Sequence, residues 1–120
     1  MAKNQKKRKN IWNIYQKELD LPKLEIEEEI PSNIQHSYFT YLIKVKNARN
    51  ELATYLKNND VYTTLRFQPL HKLNLYSKYA KKALPNSEFL NETGLNLPLH
   101  PKLTDNDMDK IISLIKKWTI

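Results

Sequence analysis

Glycine occurs once in these 120 residues, as Gly94. A glycine-rich phosphate loop and the dinucleotide-binding fingerprint both need several glycines close together, so neither can form. Cysteine is absent. That removes disulfide scaffolds, cysteine zinc sites, iron–sulfur clusters and thiol nucleophiles, and it fits a reducing cytosol. With 40% apolar and 28% charged residues, the chain suits one soluble domain with one core. No apolar run approaches the ~20 residues that span a bilayer, and the basic start lacks the apolar stretch of a signal peptide. The expectation is a cytoplasmic protein with no membrane partner.

The formal net charge is +7, and its distribution matters more than its size. Lys3, Lys6, Lys7, Arg8 and Lys9 crowd the start, whereas Glu18, Asp20, Glu25, Glu27, Glu28 and Glu29 follow as an acidic stretch. A nucleic-acid domain spreads its positive charge over a face and interleaves aromatics with it. A basic tip on a mixed chain reads instead as a solvated helix end, which argues against a nucleic-acid partner.

Hydrophobic periodicity sets out the elements. Ile11, Trp12, Tyr15 and Leu19 lie at helical spacing, which predicts a helix over residues 3–19 that Pro22 stops. Residues 20–33 read as a polar linker. Tyr38–Lys46 alternates as a strand, with Phe39, Tyr41, Ile43 and Val45 on one face. Asn47 stands where an N-cap belongs, before a helix over 48–58 carrying Leu52, Tyr55 and Leu56. Val61–Phe67 is β-branched and aromatic and predicts a second strand that Pro69 ends. One or two short helices fit 71–84, Asn86 can cap a further turn, and Gly94–Leu97 is a third strand. Thr104 caps a final amphipathic helix with Met108, Ile111, Ile112, Ile115 and Trp118 on its stripe, and Asp107 completes a short capping box. The fold class is therefore α+β: a short three-stranded sheet with flanking helices.

Few residues carry chemistry by pattern alone. His36, His71 and His100 are too far apart for a helical metal pair. His71 follows a predicted strand end and is the best general acid–base candidate, or else it hydrogen-bonds a neighbouring loop. Asp105, Asp107 and Asp109 lack the glycine and closing glutamate of a calcium loop and serve as helix N-terminal charges. The serines have no glycine elbow. Arg66, beside Phe67 at a strand end, is placed to hold a phosphate or carboxylate, or to form a surface ion pair.

Ser37-Tyr38-Phe39-Thr40-Tyr41-Leu42-Ile43-Lys44-Val45 resembles a strand in the small C-terminal domain of the DegT/DnrJ/StrS family of PLP-dependent nucleotide-sugar aminotransferases, and further segments follow in that family's order. Arg49, Leu52 and Leu56, then Asp60-Val61-Tyr62-Thr63-Thr64, resemble the next helix and strand. Phe67-Gln68-Pro69-Leu70-His71 resembles its aromatic-x-Pro-Leu-His turn, and Pro85-Asn86-Ser87-Glu88 its Pro-x-x-Glu segment. Gly94-Leu95-Asn96-Leu97-Pro98-Leu99-His100-Pro101 and the Thr104 cap resemble its end, and Arg8-Lys9-Asn10-Ile11-Trp12 its lead-in helix.

The resemblance implies residues 1–20 as a lead-in helix and 21–120 as the small domain of a fold-type I aminotransferase, with a short, mostly antiparallel three-stranded sheet. By motif position, Tyr38, Arg66 and His71 would lie nearest the sugar pocket and position substrate. No lysine here lies in a motif matching the family's cofactor lysine, which belongs to its large domain. PLP is thus implied for the intact family and none is expected on this chain alone, which reads as a truncated or split piece, inactive by itself. The implied partners are a large domain or partner subunit and a nucleotide-sugar substrate, with glutamate as amino donor in polysaccharide or deoxysugar biosynthesis. The alternative is a stand-alone basic α+β interaction module that contacts its partner through Lys3–Lys9.

Overall fold

The structure, a computed structural model, describes residues 2–66 and 68–120. Helix α1 spans Ala2–Glu18, strand β1 Tyr41–Lys44, helix α2 Arg49–Asn58, helix α3 Pro85–Thr93, strand β2 Gly94–Leu97 and helix α4 Asp105–Thr119. Two 3₁₀ turns, Leu70–Lys72 and Ser77–Tyr79, stand where one or two short helices are predicted.

Among the described residues the sheet has two strands, where the sequence predicts three. β1 and β2 pair antiparallel, with Tyr41 opposite Leu97 and Lys44 opposite Gly94. Among the described residues the segment after Val61 touches β2 at one rung, Thr64 with Asn96. There the Thr64 N–H donates to the Asn96 carbonyl at 3.1 Å, and the Asn96 N–H to the Thr64 carbonyl at 2.9 Å. The backbone explains why the ladder stops. Antiparallel rungs recur every second residue, so the next would fall on Pro98 and Gly94. Proline has no N–H to give, and the Pro98 carbonyl already accepts from the Tyr15 hydroxyl at 2.7 Å. The Gly94 N–H caps α3 on the Leu90 carbonyl, and the Gly94 carbonyl accepts from Arg49 at 3.3 Å. The β propensity of Val61–Arg66 has no free partner to act on; Phe67, which the sequence assigns to the same strand, lies outside the described residues.

On the opposite edge the linker joins in. Glu25 bridges Lys44 through paired backbone bonds of 2.8 and 2.9 Å. β1 is also shorter than its alternation suggests, since Tyr38 sits at φ 50°. Asn47 is at φ 60°, a left-handed conformation that asparagine tolerates. It therefore turns the chain rather than capping α2, whose N-cap is Ala48 with no side-chain bond. α3 begins at Pro85 in its first turn, with Leu84 rather than Asn86 at the cap. The Thr104 capping box forms as read: the Asp107 N–H donates to Thr104 Oγ1 at 3.1 Å and the Thr104 N–H to Asp107 Oδ2 at 2.9 Å.

One face of the sheet makes the core. Tyr41 and Ile43 of β1 and Leu95 and Leu97 of β2 are buried with Ile11, Trp12, Tyr15 and Leu19, with Leu52 and Leu56 of α2, and with Met108, Ile111, Ile112 and Ile115 of α4. The periodic residues of three helices thus converge on one surface, each fully buried aliphatic side chain contributing roughly 1.5–3 kcal/mol. Lys116 of α4 pairs with Glu18 at the end of α1. The other face of the sheet stays open and carries the candidate site.

Candidate functional site

Period-2 alternation sends Thr40, Leu42 and Asn96 away from the core. Thr40 and Asn96, with Arg66, line two adjoining clefts of about 340 and 180 Å³, and Leu42 floors the larger. The larger cleft is edged by Glu27, Ser87 and Asn91 as well as Leu65 and Leu90; the smaller is walled by Phe39, Tyr62 and Leu99. The Arg66 guanidinium lies over the Phe39 ring, 4.8 Å from its centroid. Arg66 makes no ion pair among the described residues, so its donors remain available for an anion. Stacked on an aromatic face, the guanidinium is less hydrated than an ammonium and suited to a phosphate or carboxylate.

The side chains the pattern did not single out are Asn96 and Glu27. Asn96 is buried, and its Nδ2 donates to the Thr64 carbonyl at 3.2 Å. A polar residue between Leu95 and Leu97 was the available signal, since asparagine is depleted in strands. Glu27 Oε1 accepts from the Leu42 N–H at 3.3 Å, and the Glu27 backbone carbonyl from Gln16 at 2.9 Å. A side chain thereby satisfies a strand-edge donor that no neighbouring strand reaches; nothing in the local pattern of Glu27–Glu29 marks which glutamate does so.

Tyr38 and His71 line neither of these clefts. Tyr38 belongs to an aromatic cluster on the α1 side, 5.8 Å from the Trp12 ring and 4.8 Å from that of His36, whose Nδ1 accepts the Tyr38 N–H at 3.0 Å. His71 Nε2 is 2.8 Å from Glu88 Oε1, and Lys72 approaches the other carboxylate oxygen at 3.4 Å. The hydrogen bond from His71, with Lys72 adding to it, holds the Glu88 carboxyl below the usual carboxylate range. His71 thus ties the 3₁₀ segment to α3, and the structure brings only Arg66 of the three to the open face.

The clefts do not fit PLP by themselves. No lysine lines either one. The single glycine does not form a phosphate cradle: a Cβ there would lie 2.5 Å from the Leu90 carbonyl oxygen, so that space is filled by backbone. Among the described residues no group of histidine and carboxylate side chains is arranged to hold a metal, and no helix is long and apolar enough to cross a membrane.

The comparisons with known proteins agree with one another. The chain is 31% identical over 117 residues to GDP-perosamine synthase of Vibrio cholerae, covering 94% of this chain and 32% of that protein. It is 30% identical over 120 residues to an uncharacterized protein of Methanocaldococcus jannaschii, covering 93% of this chain and 31% of the other. The aminotransferase TlmJ of Streptoalloteichus hindustanus superposes with a TM-score of 0.92 at 28% identity, over 98% of this chain and 32% of that structure. The chain therefore spans about a third of the length of the relatives it matches, with an α+β architecture that recurs inside larger aminotransferase structures. The description of the DegT/DnrJ/EryC1/StrS aminotransferase family matches residues 1–116, and the chain belongs to that family.

Proposed function

We propose that this chain is the small domain of a PLP-dependent sugar aminotransferase, which moves an amino group from glutamate to a keto nucleotide-sugar when combined with a cofactor-bearing large domain. The observation that carries the reading is the family match over residues 1–116 together with coverage of only 31–32% of the relatives. In this reading residues 1–20 are the lead-in helix and 21–120 the small domain. The large domain or a partner subunit supplies PLP and its lysine. Arg66 takes an anionic group of the substrate, with Asn96 and Glu27 as polar neighbours, and Tyr38 and His71 position substrate once the second domain closes on this one. Exposed apolar side chains along the same side, among them Phe39, Tyr62, Leu65 and Leu90, support a face that another domain covers.

The test is a chimera. This chain replaces the matching third of GDP-perosamine synthase, and formation of GDP-perosamine is measured with PLP and glutamate. Product is expected from the chimera, less of it with Arg66→Ala, and none from the 120-residue chain alone. A folded chimera that binds PLP yet forms no product would refute the reading, as would transamination by the chain alone that one lysine substitution abolishes.

A further inference from the structure

The first half of α1 rests on a single turn of the chain. Between residues 2 and 10 only Gln5 and Arg8 are half-buried, the rest being exposed. Both reach that turn: Gln5 Nε2 donates to the His36 carbonyl at 3.2 Å and Arg8 Nη2 to the Ser37 carbonyl at 3.4 Å. The Lys9 ammonium adds a contact 5.9 Å from the Tyr38 ring centroid.

An imidazole holds the turn. His36 Nδ1 accepts the Tyr38 N–H at 3.0 Å, the i to i+2 bond that asparagine makes in an Asx turn. Tyr38 lies at φ 50°, where a bulky residue is strained and the surroundings must enforce the conformation. An acceptor at Nδ1 requires the neutral ring with its proton on Nε2. In the imidazolium both nitrogens are donors, and the bond to Tyr38 is lost.

The neighbours of the ring act in the same direction. The Trp12 and Tyr38 rings flank it, with centroids 6.0 and 4.8 Å away. Arg8 and Lys9 of α1 stand at the turn. Glu27, Glu28 and Glu29 of the linker line, together with His36, a groove of about 440 Å³. Lys44 of β1 also lines it and is paired with Glu25. An imidazolium is repelled at the turn and attracted along the groove, so protonation draws the ring away from Tyr38.

We propose that His36 is a pH-sensitive latch: the neutral ring holds residues 36–38 and docks the first half of α1, and protonation releases both. Freed of its bond, Tyr38 relaxes from its left-handed conformation. The carbonyls of His36 and Ser37 then turn, and Gln5 and Arg8 lose their acceptors. Lys3, Lys6, Lys7, Arg8 and Lys9 oppose the helix dipole at this end, so the undocked half frays. The latch is independent of the aminotransferase reading and is tested on the 120-residue chain itself.

NMR of the isotope-labelled chain measures it, with the His36 ring followed from about pH 8 to about pH 5, the interval in which histidines ordinarily titrate. Amide hydrogen exchange is read at residues 6–10 and corrected for its intrinsic pH dependence. Protection there should fall about tenfold as His36 takes up its proton, as expected when a donor loses its one acceptor, while the amides of α4 stay protected. His36→Asn gives the Tyr38 N–H an acceptor that does not titrate. Its residues 6–10 should keep their protection throughout, although His71 and His100 remain to titrate. His36→Leu removes the acceptor and should show the low protection at both ends of the range, with circular dichroism verifying the fold. Residues 6–10 that stay protected in the wild type with His36 protonated, or a loss shared by α4, would overturn the proposal. So would a His36→Asn chain that loses protection as the wild type does, or a folded His36→Leu chain as protected as the wild type at about pH 8.

Discussion

Replacing Gly94 by alanine isolates what the single glycine does. Its backbone lies at φ −73° and ψ 133°, ordinary extended geometry for any L-residue, so conformational freedom is not the reason for it. Space is. An added Cβ would lie 2.5 Å from the Leu90 carbonyl oxygen and 3.1 Å from Leu42 Cδ1, and real Cβ contacts essentially never fall below 3.0 Å. The Leu42 methyl can turn aside. The Leu90 carbonyl belongs to the last turn of α3 and accepts the Gly94 N–H, so moving it by about 0.5 Å strains that helix end. Overpacking of this kind costs roughly 1–3 kcal/mol, and the smaller entropy of the unfolded alanine chain returns about 0.4–1. The expected net loss is about 1–2 kcal/mol, or a Tm lower by roughly 4–8 °C for a chain of this size. Urea and thermal unfolding of the wild type and Gly94→Ala measure it. A variant as stable as the wild type, or firmer by a few tenths of a kcal/mol, would show that α3 yields at no cost and refute the steric argument.

Two further outcomes concern ionisation. Burial, and secondarily the neighbouring Tyr41, push the Tyr15 hydroxyl far above the usual phenol range. Folding therefore favours the neutral phenol, and this stability is whole below about pH 10 and is lost as the pH rises further. Tyr15→Phe, which leaves the Pro98 carbonyl without its 2.7 Å donor, should cost about 1–2 kcal/mol at neutral pH and flatten the alkaline limb of the stability profile; an unchanged limb would count against it. Hydrogen bonds from Lys46 and Lys44 hold the Glu25 carboxyl at about 2. The sign is that of a depressed acid: the contribution is present above the ordinary glutamate pKa and disappears as the pH falls toward 2. Glu25→Gln should lose that acid dependence, as followed by urea midpoints from pH 6 to pH 2.

The periodic elements were legible from spacing along the chain. The stripe Ile11, Trp12, Tyr15, Leu19 and the stripe Met108, Ile111, Ile112, Ile115 are buried as their spacing requires, and the Thr104–Asp107 box is closed. These are local matters, fixed by side chains within a turn or two of one another. The ordered motifs also carried the family, because a chain of segments in register specifies an ancestry that composition cannot.

Which backbone donors are already engaged depends on contacts between distant segments. Val61–Arg66 has the propensity of a strand, yet Pro98 lacks an N–H and Gly94 has committed its own to Leu90, so one rung at Thr64 survives. Glu27, indistinguishable from Glu28 and Glu29 by pattern, reaches the Leu42 amide only because the linker lies against the sheet edge. The open face that joins Arg66 to Asn96 is likewise a product of packing. Residues 30 positions apart meet there because the helices cover the opposite side of the sheet. Propensity is a property of neighbours along the chain, whereas hydrogen-bond partners and cleft walls are set by segments distant in sequence, and those exist only after the core has formed.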